Sequence, residues 1–321
     1  SLIAYFEAEH VMFSRASLSL CRSVRIALML NLHKFDGVDE SSTSPLQPPQ
    51  DWTYSEEQRR TRWVIFCADR LVSATTKSPT LIQDPQMQTR LPASDKAYSS
   101  GREERTCMLT DERHGERYSA LAARVRVSQL FYQILDHTSQ VNLATNLDSK
   151  IDPFWKRHRA LDNDLAIILL LLPETLRLPA NNHCQHALFI HILIHTATIC
   201  LHRAALFMVK SQTLPEHLKL ESQYRLLPAP EDILNIFRIT SDLQVSLMNP
   251  LINFSAYIAA LVFLEDVLSD YSSHGEKDLE FLLKIMIAIG RGNAVTRSLA
   301  GQLAKEMTEH GIQSSTIEKV R

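Results

Sequence analysis

Ser55-Glu56-Glu57-Gln58-Arg59-Arg60-Thr61-Arg62-Trp63-Val64-Ile65-Phe66-Cys67-Ala68-Asp69-Arg70 opens a stretch that continues through Pro79 and Asp84 to Leu91-Pro92. Ser55-Glu56-Glu57-Gln58 has the spacing of a capping box, with the hydroxyl at the cap and Gln58 reaching back. A helix is therefore expected from Ser55 to about Thr76. On its wheel Trp63, Phe66, Cys67, Leu71 and Ala74 fill one side, and Val64, Ile65, Ala68 and Val72 fill much of the rest. A helix apolar all round belongs in the interior. Yet this one carries Arg59, Asp69 and Arg70, and charge inside a buried helix is costly unless paired. Arg59, Trp63 and Arg70 fall near one stripe, with Asp69 away from it near Arg62. The expected resolution is a buried ion network in which Arg59, Asp69, Arg70 and Asp84 lock the helix to residues 79–92.

Outward from this stretch the 3.6-residue period dominates. Residues 2–32 read as one helix, closed by Asn31, which after Gly best tolerates the left-handed closing conformation. Residues 36–51 read as loop, and 78–101 as extended or looped around Pro79, Pro85 and Pro92. The charged run 102–114 reads as linker or short helix. Further helices are expected at 116–144, 153–171, 183–209, 231–248, 251–269 and 277–309, the last broken near Gly290-Arg291-Gly292. Residues 211–230, with three prolines, read as loop. No strand alternation and no fixed repeat is visible. The fold class is all-α: one large domain of about ten helices over 1–321, most motif-rich over 1–110, with a helical remainder over 111–321.

Composition narrows the function. Apolar residues make up 45% and charged residues 22% of the 321, ordinary for a globular chain. Eight glycines argue against barrels and phosphate loops. The net charge of -2 and pI near 6.7 lack the basic balance of a domain that grips nucleic acid alone. The basic cluster Lys156-Arg157-His158-Arg159 reads as a solvated helix start. Five scattered cysteines suit a reducing compartment and offer no C-x-x-C zinc site. The apolar runs 165–172 and 251–264 look shorter than the ~20 residues a membrane span needs.

Catalytic signatures are missing: G-x-S-x-G, H-E-x-x-H and P-loop patterns are all absent. Glu56-Glu57 read as first-turn acids that suit the helix dipole. Cys184, His191, His195 and His202 share one helical face, within about 40° at 100° per residue. Over roughly 27 Å of helix they cannot meet at one ion, so at most His191 and His195 could share a metal; otherwise they form a polar stripe or bond to neighbouring helices. No catalytic, cofactor or metal residue is assigned.

The 55–92 stretch resembles the fungal-specific transcription factor domain, or middle homology region, of fungal binuclear zinc-cluster regulators. Glu56, Arg59, Arg60, Trp63, Asp69, Arg70, Pro79, Asp84, Leu91 and Pro92 match its pattern in order and spacing. Leu30-Asn31-Leu32-His33 is similar to the family's Leu-Gly-Leu-His ending, and Leu201-His202-Arg203 to its Leu-His-Arg helix. Lys77-Ser78 departs from the usual Gly-Arg, which puts that turn in question. The resemblance implies a regulatory domain controlling transcription by RNA polymerase II in the nucleus. Zinc and promoter DNA would be bound by an upstream cluster domain that is absent from this chain. A small-molecule effector, a coregulator protein or a homodimer are the implied partners, with no membrane. The other readings are a helical small-molecule-binding or scaffold protein without DNA binding and, less favoured, an enzyme.

Overall fold

A few backbone positions decide where the helical stripes break. The computed structural model describes residues 2–37, 51–83, 88–111, 118–141, 151–212, 214–240, 250–270, 273–312 and 314–317. Within them lie twelve α-helices and no strand, only an isolated bridge between Arg90 and Met108. The first expected helix is two: α1 (Leu2–Glu9) and α2 (Phe13–Met29). Val11, at φ 60°, makes the break. Its amide bonds to the Ala8 carbonyl and that of Met12 to the Glu7 carbonyl, at 3.0 and 2.9 Å. This is the paired closure of a Schellman motif, and nothing in the side-chain periodicity announces it. Asn31, just past α2, takes the left-handed conformation read for it, at φ 56°.

α3 (Trp52–Thr76) corrects the reading of its start. Asp51 is the cap, accepting the Tyr54 amide at 2.8 Å. Ser55 sits in the first turn and donates to the Asp51 carbonyl, while the Gln58 amide finds no partner among the described residues. A carboxylate at the cap also gains from the helix dipole, which a hydroxyl does not. At the other end Lys77 closes α3 at φ 56°, occupying the left-handed position without glycine. The interior of α3 is also less apolar than expected. Val64 and Val72 are exposed, whereas Glu56, Arg62, Asp69 and Arg70 are buried.

α4 (Asp95–Ser100), α5 (Ala120–Val141), α6 (Ile151–Leu171) and α7 (Gln185–Gln212) follow. Residues 211–230 are not the expected loop: they hold α8 (Glu216–Leu226) and the start of α9 (Pro228–Ile239). Pro215 precedes α8 and Pro228 occupies the first turn of α9, where a missing N–H costs nothing. The prolines punctuate helices there. α10 (Pro250–Asp270), α11 (Ser273–Gly290) and α12 (Ala294–Glu309) complete the set. The break before α12 falls where the glycines suggested. A Cβ on Gly290 would stand 3.1 Å from the Arg297 backbone, so any larger residue would press the two helices apart by a few tenths of an ångström.

α3 packs on α5, α5 on α7, and α7 on α8, α9 and α10, while α10, α11 and α12 pack on one another. One apolar core runs from Leu20 to Ile317, with a smaller cluster around Trp155, Ala205, Met208 and Val209. The length expectation for membrane spans needs correction. Gln185–Gln212 and Leu251–Leu268 are long and apolar enough to cross a membrane, at mean hydropathies of 1.6 and 1.7. Here both are central packing helices, 61% buried among their neighbours.

Candidate functional site

Residues 79–83 and 88–94 lie along α3 without regular structure, and an irregular backbone beside a helix has amides and carbonyls with no ladder to join. Buried groups of that kind must find partners. The polar side chains of α3 are those partners, which explains why an interior helix carries them.

At the C-terminal half of α3, Asp69 accepts the Leu81 amide at 3.0 Å and the Ile82 amide at 3.1 Å. Arg70 donates to Asp69 at 3.0 Å, to the Ile82 carbonyl at 2.8 Å and to Gln129 of α5 at 2.6 Å. Its guanidinium lies over the Phe66 ring at 4.4 Å. Ser73 donates to the Pro79 carbonyl at 3.3 Å. Both Asp69 and Arg70 side chains are 1% exposed. Burial pushes the Asp69 carboxyl above its ordinary range, and the two amides, Arg70 and Arg62 oppose this. Burial also draws Arg62 down to about 10, against the pull of Asp69.

Midway, the fully buried Trp63 donates its indole N–H to the Arg90 carbonyl at 2.6 Å. At the N-terminal half, Glu56 accepts the Ala93 amide at 2.9 Å and Arg60 at 3.1 Å. Arg60 also donates to the Ala93 carbonyl at 3.0 Å and to Asp95 at 2.8 Å, with its guanidinium 4.3 Å over Tyr98. Burial raises the Glu56 carboxyl, against the Ala93 amide and the two arginines. Leu91 and Pro92 are buried. The Leu91 amide bonds to the Cys107 carbonyl at 2.8 Å. The Pro92 carbonyl accepts from Ser119 at 2.7 Å, and Ser119 in turn accepts the Ala122 amide at the head of α5.

The single network expected from Arg59, Asp69, Arg70 and Asp84 is corrected to two separate clusters. Asp69 and Arg70 meet, but Arg59 lies three turns earlier and turns elsewhere. It forms a two-pronged bond to Asp36, at 2.6 and 2.9 Å, and approaches Glu56 at 3.6 Å. Asp36 also accepts the Arg90 amide at 2.8 Å, so the post-α2 turn joins the same strap. Asp84 lies outside the described residues. Asp36, Gln129 and the buried role of Glu56 escaped the sequence reading. Only Glu56 left a signal, its four-residue offset from Arg60. Its neighbour Glu57 is exposed, as a dipole-favouring acid would be.

The histidines of α7 are turned toward neighbouring segments. His191 reaches the Leu176 carbonyl at 3.0 Å, His195 faces Asp232 of α9 at 3.5 Å, and His202 faces Asp162 of α6 at 3.3 Å. Cys184 is a free, half-buried thiol. Among the described residues no three His, Cys, Asp or Glu side chains group to hold a metal. His202 instead belongs to a buried ring cluster with His137, Phe154, Trp155 and His158. His158 lies 5.1 Å from His202 and 6.3 Å from His137 between ring centres. Burial, then the neighbouring histidines, holds His158 at about 3; burial, then Arg157, holds His137 at about 4. Burial would raise Asp162, but His202 and Arg225 outweigh it and hold it at about 2.

Residues 10–142 match the family model of the fungal specific transcription factor domain. The match extends the resemblance read from 55–92 across α2, α3, the whole strap and α5. Among curated proteins, the chain is 24% identical to the sorbicillinoid biosynthetic cluster transcription factor 1 of Penicillium rubens, over 92% of this chain and 52% of that protein. It is 24% identical to the citrinin biosynthesis transcriptional activator ctnR of Monascus purpureus, over 92% and 51%. It is 23% identical to the pigment biosynthesis transcriptional activator pigB of Monascus ruber, over 81% and 48%. The chain thus spans about half the length of these relatives. No solved structure matches it.

Proposed function

We propose that this chain is the regulatory, middle homology domain of a fungal zinc-cluster transcription factor that controls RNA polymerase II transcription of a biosynthetic gene cluster. The observation that carries the reading is the family match over residues 10–142, which takes in every anchor of the strapped helix. The biosynthetic names of the similar activators support the class of target genes. Promoter DNA is contacted by a zinc cluster elsewhere in the full-length protein, and zinc belongs to that cluster. The near-neutral charge of this chain supports such a division of labour. The nucleus is the compartment of this activity.

In this reading the chain performs no catalysis. Arg59, Arg60, Trp63, Asp69, Arg70, Pro79, Leu91 and Pro92 are structural, holding α3 in one relation to its strap. An effector or coregulator acts on the domain so fixed. The test places the chain between a heterologous DNA-binding module and an activation segment and reads reporter transcription. Output should change severalfold against the same fusion without the chain, and Arg70→Ala should remove the change. Equal output with and without the chain would overturn the reading.

One observation favours a second reading, a small-molecule-binding helical protein without DNA binding. Four buried ring nitrogens, on His137, Trp155, His158 and His202, have no hydrogen-bond partner among the described residues. A thermal-shift screen of polar aromatic compounds tests it: stabilisation lost in His158→Phe supports it, and a flat screen removes it.

A further inference from the structure

α2 has two faces with different fates. Ala16, Leu20, Val24 and Ala27 are buried. The opposite side presents Leu18, Arg22, Arg25 and Met29, all exposed, at intervals of four, three and four residues. This is the spacing of a seam between two helices. Leu18 is 60% and Met29 62% exposed, and Ile26 flanks them at 57%. The surface is not ordinary for this molecule: among the described residues, nine of the nineteen exposed large apolar side chains precede residue 30. Arg15 at its edge pairs with Glu7 at 3.3 Å, but Arg22 and Arg25, in the middle of the seam, form no ion pair among the described residues.

We infer that this stripe docks an acidic amphipathic helix of a partner protein, with carboxylates facing Arg22 and Arg25 and apolar side chains covering Leu18 and Met29. Charge chooses the occupant. A second copy crossing antiparallel at the middle of the stripe would set Arg22 and Arg25 against the same arginines, and like charges across an interface are strongly disfavoured. A lipid surface wants its basic residues at the polar margin of an apolar face, whereas here they occupy the centre. A nucleic-acid surface would gain nothing from Leu18, Ile26 and Met29, and the chain lacks a basic balance. Apolar ends with a cationic middle fit a helix carrying acids between leucines. The inference does not depend on the regulatory reading.

The test uses the full chain and a labelled Glu/Leu peptide of about 20 residues with heptad-spaced leucines, roughly 30 Å long as a helix. A Lys/Leu peptide of the same leucine spacing is the control. Fluorescence anisotropy should show binding of the acidic peptide only, weakened about tenfold or more by Arg22→Glu with Arg25→Glu and by about 0.5 M salt. The charge-reversed protein should gain the Lys/Leu peptide. Both arginines are exposed, so the fold should survive; if the melt of that variant falls, Leu18→Ser with Met29→Ser supplies the same loss from the apolar side. No binding, or binding that neither pair of substitutions changes, overturns the inference. So does a stripe-dependent preference for anionic vesicles, for duplex DNA or for dimer formation by sedimentation.

Discussion

Arg70 shows how much of this molecule turns on single side chains. It is buried and joins α3 to the strap through Ile82, to α5 through Gln129 and to its neighbour Asp69. Removing one side of a buried pair leaves the other charged and unmatched, at about 3–5 kcal/mol. In a chain of this size each kcal/mol moves the melting midpoint by roughly 2 °C. Arg70→Ala should therefore lower it by about 6–10 °C, and a fall within 2 °C by calorimetry would falsify the role given to the pair. Asp69 and Arg70 were legible because charge on an apolar helix demands an explanation. Gln129 was not, since a neutral amide 59 positions away leaves no local mark. Nor was Asp36, one of four acids in a stretch that reads as loop. Lys77 makes the opposite prediction. A non-glycine residue in the left-handed region costs about 1–2 kcal/mol, and glycine's greater freedom in the unfolded chain returns part of that. Lys77→Gly should leave stability equal or raise it by up to about 1 kcal/mol in urea denaturation. A clear loss would mean that the Lys77 side chain makes a contact of its own.

Among the elements, α5, α6 and α7 meet at the buried rings of His137, His158 and His202, with α8 reaching Asp162 through Arg225 at 2.7 Å, and the meeting point sets an acid limit on stability. His137 and His158 titrate near 4 and 3 in the fold against an ordinary 6.5, chiefly because burial disfavours their charged forms. Arg157, Arg159, Asp136, Asp162 and Arg225 are the charged groups around them. A group depressed in the fold stabilises above its unfolded value and loses that contribution as pH falls toward the folded value. The loss should therefore begin below about pH 6.5 and grow steadily to about pH 4. Asp162, held at about 2, adds a second loss below its ordinary 3.8. His158→Phe should flatten the melting temperature between pH 6.5 and 4 relative to the parent. A parallel decline in both proteins would remove the cluster as the cause. Periodicity found every long helix, because burial of one face imposes it. It missed α8, whose face is mostly polar and whose prolines looked like loop. It also merged α1 with α2, since a backbone turn at Val11 leaves the side-chain pattern intact.

For the molecule as a whole, the family match and the packing have different borders. The match stops at residue 142, one position after α5 ends. The packing does not stop there: α5 lies between α3 and α7, and Arg124 of α5 rests 4.1 Å over the Phe189 ring of α7. Ala123, Val125, Phe131 and Ile134 on α5 have no exposure at all. α3 covers one side of that helix and cannot hide all of it. The sequence could show that α5 is apolar on a broad arc, but periodicity identifies faces and is silent on which helix will cover them. Exposing three such side chains costs roughly 5–9 kcal/mol, comparable with the whole stability of an ordinary domain, about 5–15 kcal/mol. A fragment of residues 2–142 should therefore show helix by circular dichroism without a cooperative melt. The full chain should unfold in one calorimetric transition, because Leu20 through Ile317 share one core. A sharp independent transition in the fragment would show that the border of the family match is also a border of folding, and that residues from α6 onward form a second unit docked against the first.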